Sequence, residues 1–185
     1  MSDRPIEFPV EGLSDGEIRL RLIGDADVPA IVAACRDPEI PRWTRVPDDY
    51  GVDDAREWLS RSAAETGSGD GISLLIVGRD DRLLGSIGIV DVSWDEARCD
   101  IGYWMAAEAR RRGIMTRAVR LLCAWIFDEL PIERVGILAS VDNQASRAVA
   151  ARAGFTYEGM RRSYLVNKGT RHDVASYSLL RGELR

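Results

Sequence analysis

Between Asp100 and Ala118 the chain runs as a strand, then a short basic turn, then the start of a long helix. The helix is drawn from about Gly113 to Leu130 by Ile114, Ala118, Leu121, Leu122, Trp125 and Ile126 at helical spacing. A strand that feeds a helix N-terminus this directly leaves unpaired backbone N–H groups, and the positive end of the helix dipole, at the turn. Arg110, Arg111 and Arg112 add charge there, and Gly113 lets backbone approach an anion closely. The combination suits a phosphate. It is not the Gly-rich loop that ends in Lys, because the segment contains no lysine. The same residues also suit a solvated basic turn that starts an ordinary helix.

The remaining elements predict a mixed α/β fold. Glu17–Ile23 alternates polar and apolar residues and reads as a strand, and Gly24-Asp25 offers an N-cap for a helix through Ala33, with Pro29 near its start. Pro38, Pro41 and Pro47 predict an irregular loop. Val52–Thr66 reads as a helix with Ala55, Trp58, Leu59 and Ala63 on one face, closed by Gly67-Ser-Gly-Asp-Gly. Strands follow at Ile72–Gly78, Leu83–Val92 and Cys99–Met105. After the long helix come a strand (Arg134–Val141), a short helix (Ala145–Ala153) and a hairpin of Phe155–Val166 with His172–Leu180 across Asn167-Lys168-Gly169. There is no internal repeat. A single domain over residues 15–182 around one central sheet is expected, with residues 1–14 as an N-terminal tail.

Composition removes several chemistries. The 25 basic residues are 24 arginines and Lys168, and His172 is the one histidine. Sites of two or three histidines cannot form within one chain, a serine triad would have to use His172, and a Schiff base would have to use Lys168. Cys35, Cys99 and Cys123 are odd in number and widely spaced, and read as small buried residues of a reducing compartment. No apolar run approaches the roughly 18 residues of a membrane span. The N-terminus lacks the basic start and apolar centre of a signal peptide, so a cytoplasmic protein is expected. The net charge of −5 conceals an asymmetry: residues 1–90 carry 18 acids against 10 arginines, and residues 91–185 carry 12 acids against 15 bases. A local cationic patch on an acidic chain points to one anionic ligand rather than to a nucleic-acid surface.

Arg110-x-x-Gly113-x-Met115 resembles the pyrophosphate-binding R/Q-x-x-G-x-G/A motif of the GNAT acyltransferase superfamily. Other segments fall in that family's order: Ile101–Met105 looks like its fourth strand, Val141–Ser146 follows the fifth, and Ala153–Gly159 closes a helix and opens the sixth. Met115 departs from the general Gly or Ala. Gly113-Ile-Met115, the Asn143-x-x-Ser146 pair and Glu158-Gly159 are most similar to the ribosomal-protein (alanine/serine) N-terminal acetyltransferases. The resemblance implies a central, mostly antiparallel sheet, splayed between the fourth and fifth strands and flanked by helices. It implies acetyl-CoA as acyl donor, with its pyrophosphate on the amides of Arg111, Arg112, Gly113, Ile114, Met115 and Thr116, and no metal. The pantetheine arm would lie in the splay, hydrogen-bonded to the backbone near Met105 and to Asn143. The implied acceptor is a protein N-terminal α-amine. A small-molecule amine (antibiotic or polyamine) is the alternative, and a catalytically silent acyl-CoA sensor a third reading. The protein would be a monomer or homodimer.

Direct transfer from a thioester to an amine needs a neutral amine, a placed thioester, donors for the oxyanion and a stabilised thiolate. Many members of the family supply a tyrosine acid four residues after the position of Ser146, and this chain has Ala150 there. Ser146 is the expected substitute, donating a hydrogen bond to the departing sulfur. Asp100 lies near the point where some members carry a catalytic carboxylate, and is the expected base, directly or through water. The acid that the ribosomal group can carry shortly before Tyr164 is replaced by Ser163. Glu158 and His172 are expected to be structural. Trp43, on the loop Arg42–Tyr50, and Tyr164 are the expected acceptor contacts, whereas Trp58 and Trp104 read as core. An acyl-cysteine route through Cys99 or Cys123 is rejected, because one has no histidine nearby in sequence and the other lies mid-helix.

Overall fold

The computed structural model describes residues 4–184. Its strands are β1 (Leu13–Ser14), β2 (Ile18–Leu22), β3 (Ile72–Gly78), β4 (Leu83–Ser93), β5 (Arg98–Met105), β6 (Arg134–Ser140), β7 (Thr156–Asn167) and β8 (Thr170–Leu180). They form one sheet in the order β1-β2-β3-β4-β5-β6-β8-β7, and every pairing is antiparallel except β5 with β6. The helices are α1 (Val28–Cys35), α2 (Glu39–Trp43), α3 (Val52–Ser68), α4 (Ile114–Glu129) and α5 (Gln144–Ala153). Because β1 precedes the first expected strand, the pair anticipated as fourth and fifth is β5 and β6 here.

Side chains alternate along each strand, and that sorts the sheet into two faces. Leu74 and Ile76 of β3, with Ile87 and Ile89 of β4, pack under Ala118, Leu122 and Ile126 of α4. Leu75 and Val77 point the other way, against Val28 and Ile31 of α1 and Ala55 of α3. The result is three layers, with α4 and α5 on one face and α1 to α3 on the other.

Three expectations change. Residues 4–14, read as a tail, lie on the domain: Ile6 is buried in the larger core, Phe8 meets Trp125 edge-on at 5.1 Å, and β1 joins the sheet. The proline-rich stretch contains α2, with Pro38 as its N-cap and Pro41 in its first turn, where a missing N–H costs nothing. The helix expected from Gly24-Asp25 starts as a short 3-10 turn at Asp25–Asp27 before α1, braced by Arg21 donating to both oxygens of Asp27 at 2.8 and 2.7 Å.

The β5–β6 pair interrupts the sheet. It is parallel and lasts three residues, Arg98 with Arg134, Cys99 with Val135 and Asp100 with Gly136. Beyond it the strands separate and β5 continues to Met105 along β4 alone. At the closed end of this pair, Arg134 donates to both carboxylate oxygens of Glu158 on β7, at 2.8 and 2.5 Å, and the Ser178 hydroxyl donates to the same carboxylate at 2.8 Å.

The Arg134 guanidinium holds the Glu158 pKa at about 2, well below the ordinary 4.5. A carboxyl whose pKa is lower in the folded than in the unfolded chain adds stability above the unfolded value, and that stability is lost as pH falls toward the folded one. Glu158→Gln should therefore flatten the stability loss between about pH 4.5 and pH 2. The difference should stay below about 1 kcal/mol at this half-exposed pair. Thermal melts across that range read it, and parallel curves for the two proteins would contradict the assignment.

Candidate active site

The turn before α4 is shaped by two residues in the left-handed region, Arg111 at φ 61° and Gly113 at φ 74°. Gly113 is the N-cap of α4 and supplies no side-chain cap, so the first N–H groups of the helix, on Ile114, Met115 and Thr116, have no intrahelical acceptor. A Cβ on Gly113 would meet nothing within 4 Å, so this surface is open. Ile114 and Met115 send their side chains into the core and leave only their amides at the turn. Arg111 and Arg112 are exposed and belong to no ion pair among the described residues. Arg110 differs: its guanidinium donates to the Met105 carbonyl at 3.0 Å and pairs with Asp37 at 2.7 Å. Its charge is committed to holding the turn against the end of β5 and the start of the α2 region.

From this turn a cleft of about 1420 Å³ runs through the β5–β6 fork to the opposite face of the sheet. Asn143 and Ser146 line it where α5 begins. Asn143 is the N-cap of α5, its Oδ1 accepting from the Ser146 amide at 3.0 Å, which leaves its NH₂ unspent on the helix. The Ser146 hydroxyl lies 3.0 Å from the Tyr103 hydroxyl. Burial pushes the Tyr103 pKa up to about 12, so the phenol stays protonated. Ala150, one helical turn after Ser146, is fully buried in the core. Tyr103 was missed in the sequence reading, although the signal was present: on a strand it shares its face with Ile101 and Met105, the face covered by α4 and α5.

Asp100 and Trp104 occupy the other face. Asp100 is half-buried at the fork and forms no hydrogen bond or ion pair among the described residues. Burial, then the charge of Asp91 directly across the β4–β5 ladder, raise its pKa above the ordinary carboxylate value, against the pull of Arg98, Arg161 and Arg134. A Cβ on Gly136 would lie 2.0 Å from the Asp100 carboxylate, so glycine at that position leaves the space the carboxylate occupies. Beyond Asp100 the cleft is lined by aromatic and acidic groups, among them Trp43, Trp58, Trp104, Asp54 and Asp91. Trp58 and Trp104, 6.3 Å apart, pack on the smaller core and also form the wall of the cleft, so the reading of them as core only is corrected. Trp43 donates its indole N–H to Glu39 at 3.2 Å and is capped by the Arg42 guanidinium. Tyr164 is half exposed on β7, with Arg161 stacked on it. The loop that carries Val46 and the hairpin that carries Tyr164 form opposite walls, joined by an ion pair between Asp48 and Lys168.

The other candidates stand apart. Glu158 is held by Arg134, and His172 is paired with Leu165 in the hairpin rather than at the fork. Cys99 and Cys123 are buried with thiol pKa values raised by desolvation, which keeps them protonated and unreactive. No helix among the described residues is long and apolar enough to cross a membrane.

The arrangement offers an anion cradle at one end, a gap with a paired hydroxyl at its middle and an unpaired carboxylate beyond. Comparison with known proteins gives the same direction. The family model described as an acetyltransferase (GNAT) domain matches residues 17–156. The provisionally named ribosomal N-acetyltransferase YdaF of Bacillus subtilis (strain 168) is 42% identical over 104 residues, a match covering 56% of this chain and 57% of the relative. RimL, a ribosomal L7/L12 alpha-N-protein acetyltransferase solved with coenzyme A, superposes with a TM-score of 0.84 at 24% identity, covering 93% of this chain and 98% of that one. A spermidine N-acetyltransferase from Vibrio cholerae, solved with CoA and spermine, has a TM-score of 0.78 at 14% identity, covering 91% and 98%. Both structures show likeness of fold.

A Cβ on Gly113 meets no atom within 4 Å, so Gly113→Glu brings a carboxylate to the turn beside the free amides without a clash at Cβ. It should weaken coenzyme A binding by more than about 100-fold, or ~3 kcal/mol, in calorimetry. Gly113→Ala carries the same backbone strain without the charge and should lose far less; equal losses for the two, or none, would contradict the phosphate placement.

Proposed function

Since the chain belongs to the GNAT acetyltransferase family and is an N-acetyltransferase, we propose that its acceptor is the α-amine of a protein N-terminus, acetylated directly from acetyl-CoA in a ternary complex. The observation that carries this reading is the continuous cleft, which connects the free amides before α4 to an acid-lined chamber through the fork. The 42% identity to YdaF supports the choice of a ribosomal-protein type of acceptor.

The residues present fit the donor. The amides of Arg111 to Thr116 and the guanidinium groups of Arg111 and Arg112 take the pyrophosphate. The NH₂ of Asn143 and the unpaired edge of β5 near Met105 take the amide-bearing arm, whose own donors and acceptors replace the missing β6 ladder. Acetyl-CoA supplies an activated acyl group on a thiol leaving group. On the acceptor side, Trp43 and Tyr164 flank the incoming chain and Asp100 takes the ammonium proton, directly or through one water. The freed amine attacks the thioester carbonyl, the C–N bond forms, the C–S bond breaks with its electron pair on sulfur, and the second nitrogen proton passes to that sulfur, leaving a neutral amide and the coenzyme A thiol. Ser146 donates a hydrogen bond to that sulfur. A base needs a pKa raised toward the working range, and burial beside Asp91 moves Asp100 in that direction.

A small-molecule amine, polyamine or antibiotic, is the second reading: the acidic lining at Glu39, Asp54, Glu57 and Asp91 suits such a cation as well as it suits an N-terminal ammonium. Peptides beginning with Ala or Ser, assayed against spermine and aminoglycosides with radiolabelled acetyl-CoA, separate the two. Turnover confined to small amines would end the peptide assignment, and coenzyme A binding with no transfer to any amine would indicate a sensor. For the base, Asp100→Asn should lower kcat/KM by roughly 100-fold. It should also remove the acid limb that an ionising carboxyl imposes, a limb placed above the ordinary carboxylate range because its pKa is raised. An unchanged pH profile would take Asp100 out of the mechanism.

A further inference from the structure

We infer that Tyr103 is a positioning residue for the transfer: its phenol donates to the Ser146 hydroxyl and so leaves the single Ser146 hydrogen free for the departing sulfur. The inference rests on the role proposed above for Ser146 and extends it to a residue on a different element, β5, across the mouth of the fork.

The reasoning starts from hydrogen counting. Each hydroxyl has one hydrogen to give and two lone pairs to receive with. The two oxygens are 3.0 Å apart, so one hydrogen lies between them. If Ser146 were the donor, its only hydrogen would be spent on the phenol and none would reach the thiolate. The phenol is much the stronger acid of the two, which favours it as donor and the aliphatic alcohol as acceptor. The Ser146 carbonyl, 3.4 Å from the same phenol, is the poorer competitor: it is farther away and lies in the first turn of α5, where the helix ladder already uses it.

Geometry restrains both partners. Asn143 fixes the Ser146 backbone from below through the N-cap bond of 3.0 Å. Tyr103 is held between β4 and the helices α4 and α5, within the larger core. Its phenol therefore cannot follow a wandering serine, and the serine rotamer that keeps the bond points the same way in each cycle. Burial keeps the phenol protonated, with a pKa near 12. No proton leaves Tyr103 during transfer: nitrogen gives its first proton to Asp100 and, once bonded to the carbonyl carbon, its second to the sulfur that has taken the electron pair of the broken C–S bond, while the phenol only polarises the Ser146 O–H that meets that sulfur. A tyrosine at position 150 is unavailable for this work, since that side chain sits fully in the core.

The test is a double-mutant cycle of wild type, Tyr103→Phe, Ser146→Ala and the double variant. The acceptor is a peptide starting with Ala or Ser, with spermine in its place should small amines be the ones turned over. Tyr103→Phe removes one oxygen and no packing volume, and its melting midpoint should match that of the wild type. Ser146→Ala should lower kcat about 100-fold and Tyr103→Phe about 10-fold. KM for acetyl-CoA and the calorimetric affinity for coenzyme A should stay within about twofold in both. Added to Ser146→Ala, Tyr103→Phe should cost nothing further. Losses that multiply, a proportional loss of coenzyme A affinity, or an unchanged kcat in Tyr103→Phe would each overturn the inference. If Ser146→Ala retains full kcat, the serine reading itself falls, an outcome distinct from a silent Tyr103→Phe beside a slow Ser146→Ala.

Discussion

The parallel pairing of β5 with β6 stops after Asp100 and Gly136, and the backbone groups of Ile101–Met105 that would have met β6 are left without ladder partners. Buried N–H and C=O groups are costly when unpaired, so a sheet interrupted near its centre calls for a partner that brings its own amides. The same interruption connects the two faces of the sheet. Tyr103 and Ser146 reach the gap from the α4 and α5 side, and Asp100 reaches it from the other, so groups that an intact sheet would keep apart meet one passage. Gly136 belongs to this constraint, because a side chain there would occupy the position of the Asp100 carboxylate.

Around the fork, ion pairs fix the surrounding elements in place. Arg110 joins the turn before α4 to Met105 and Asp37, Arg117 joins α4 to Asp15 beside β1, and Lys168 joins the hairpin tip to Asp48 on the facing loop. Pairs of this exposure each add about 0–1 kcal/mol to stability, so their larger effect is positional. The arginine excess divides accordingly. Arg110, Arg117 and Arg134 are committed to protein acids or carbonyls, whereas Arg111 and Arg112 have no ion pair among the described residues. The single lysine ties the hairpin tip to the facing loop through Asp48.

Periodicity and turn chemistry made most of the scaffold legible. The helical spacing from Ile114 to Ile126 yields α4 within a residue, and Asn167-Lys168-Gly169 marks the hairpin, with Lys168 and Gly169 both at positive φ. The prolines misled, because Pro38 and Pro41 start a helix as readily as they prevent one. The tail was misread because burial of Ile6 and Phe8 depends on partners, Thr66 and Trp125, that lie far along the chain. Motif spacing places Gly113 at the turn before α4 and Asn143 and Ser146 at the start of α5, and they stand there. Strand alternation gives the face on which Tyr103 lies, but not its 3.0 Å approach to the Ser146 hydroxyl, which depends on how α5 packs against β5. The same holds for Arg110, whose charge looked available until Met105 and Asp37 were seen to consume it.

The proposed transfer requires the fork to hold the thioester with its sulfur against Ser146, within reach of an amine deprotonated on the Asp100 side. A crystal structure of the protein with coenzyme A tests it most directly. The expected complex has the pyrophosphate on the amides of Arg111 to Thr116, the pantetheine arm in place of the missing β5–β6 ladder, and the sulfur within about 3.5–4 Å of the Ser146 Oγ. Coenzyme A bound with its sulfur outside the fork, or with its phosphates away from the turn before α4, would contradict it.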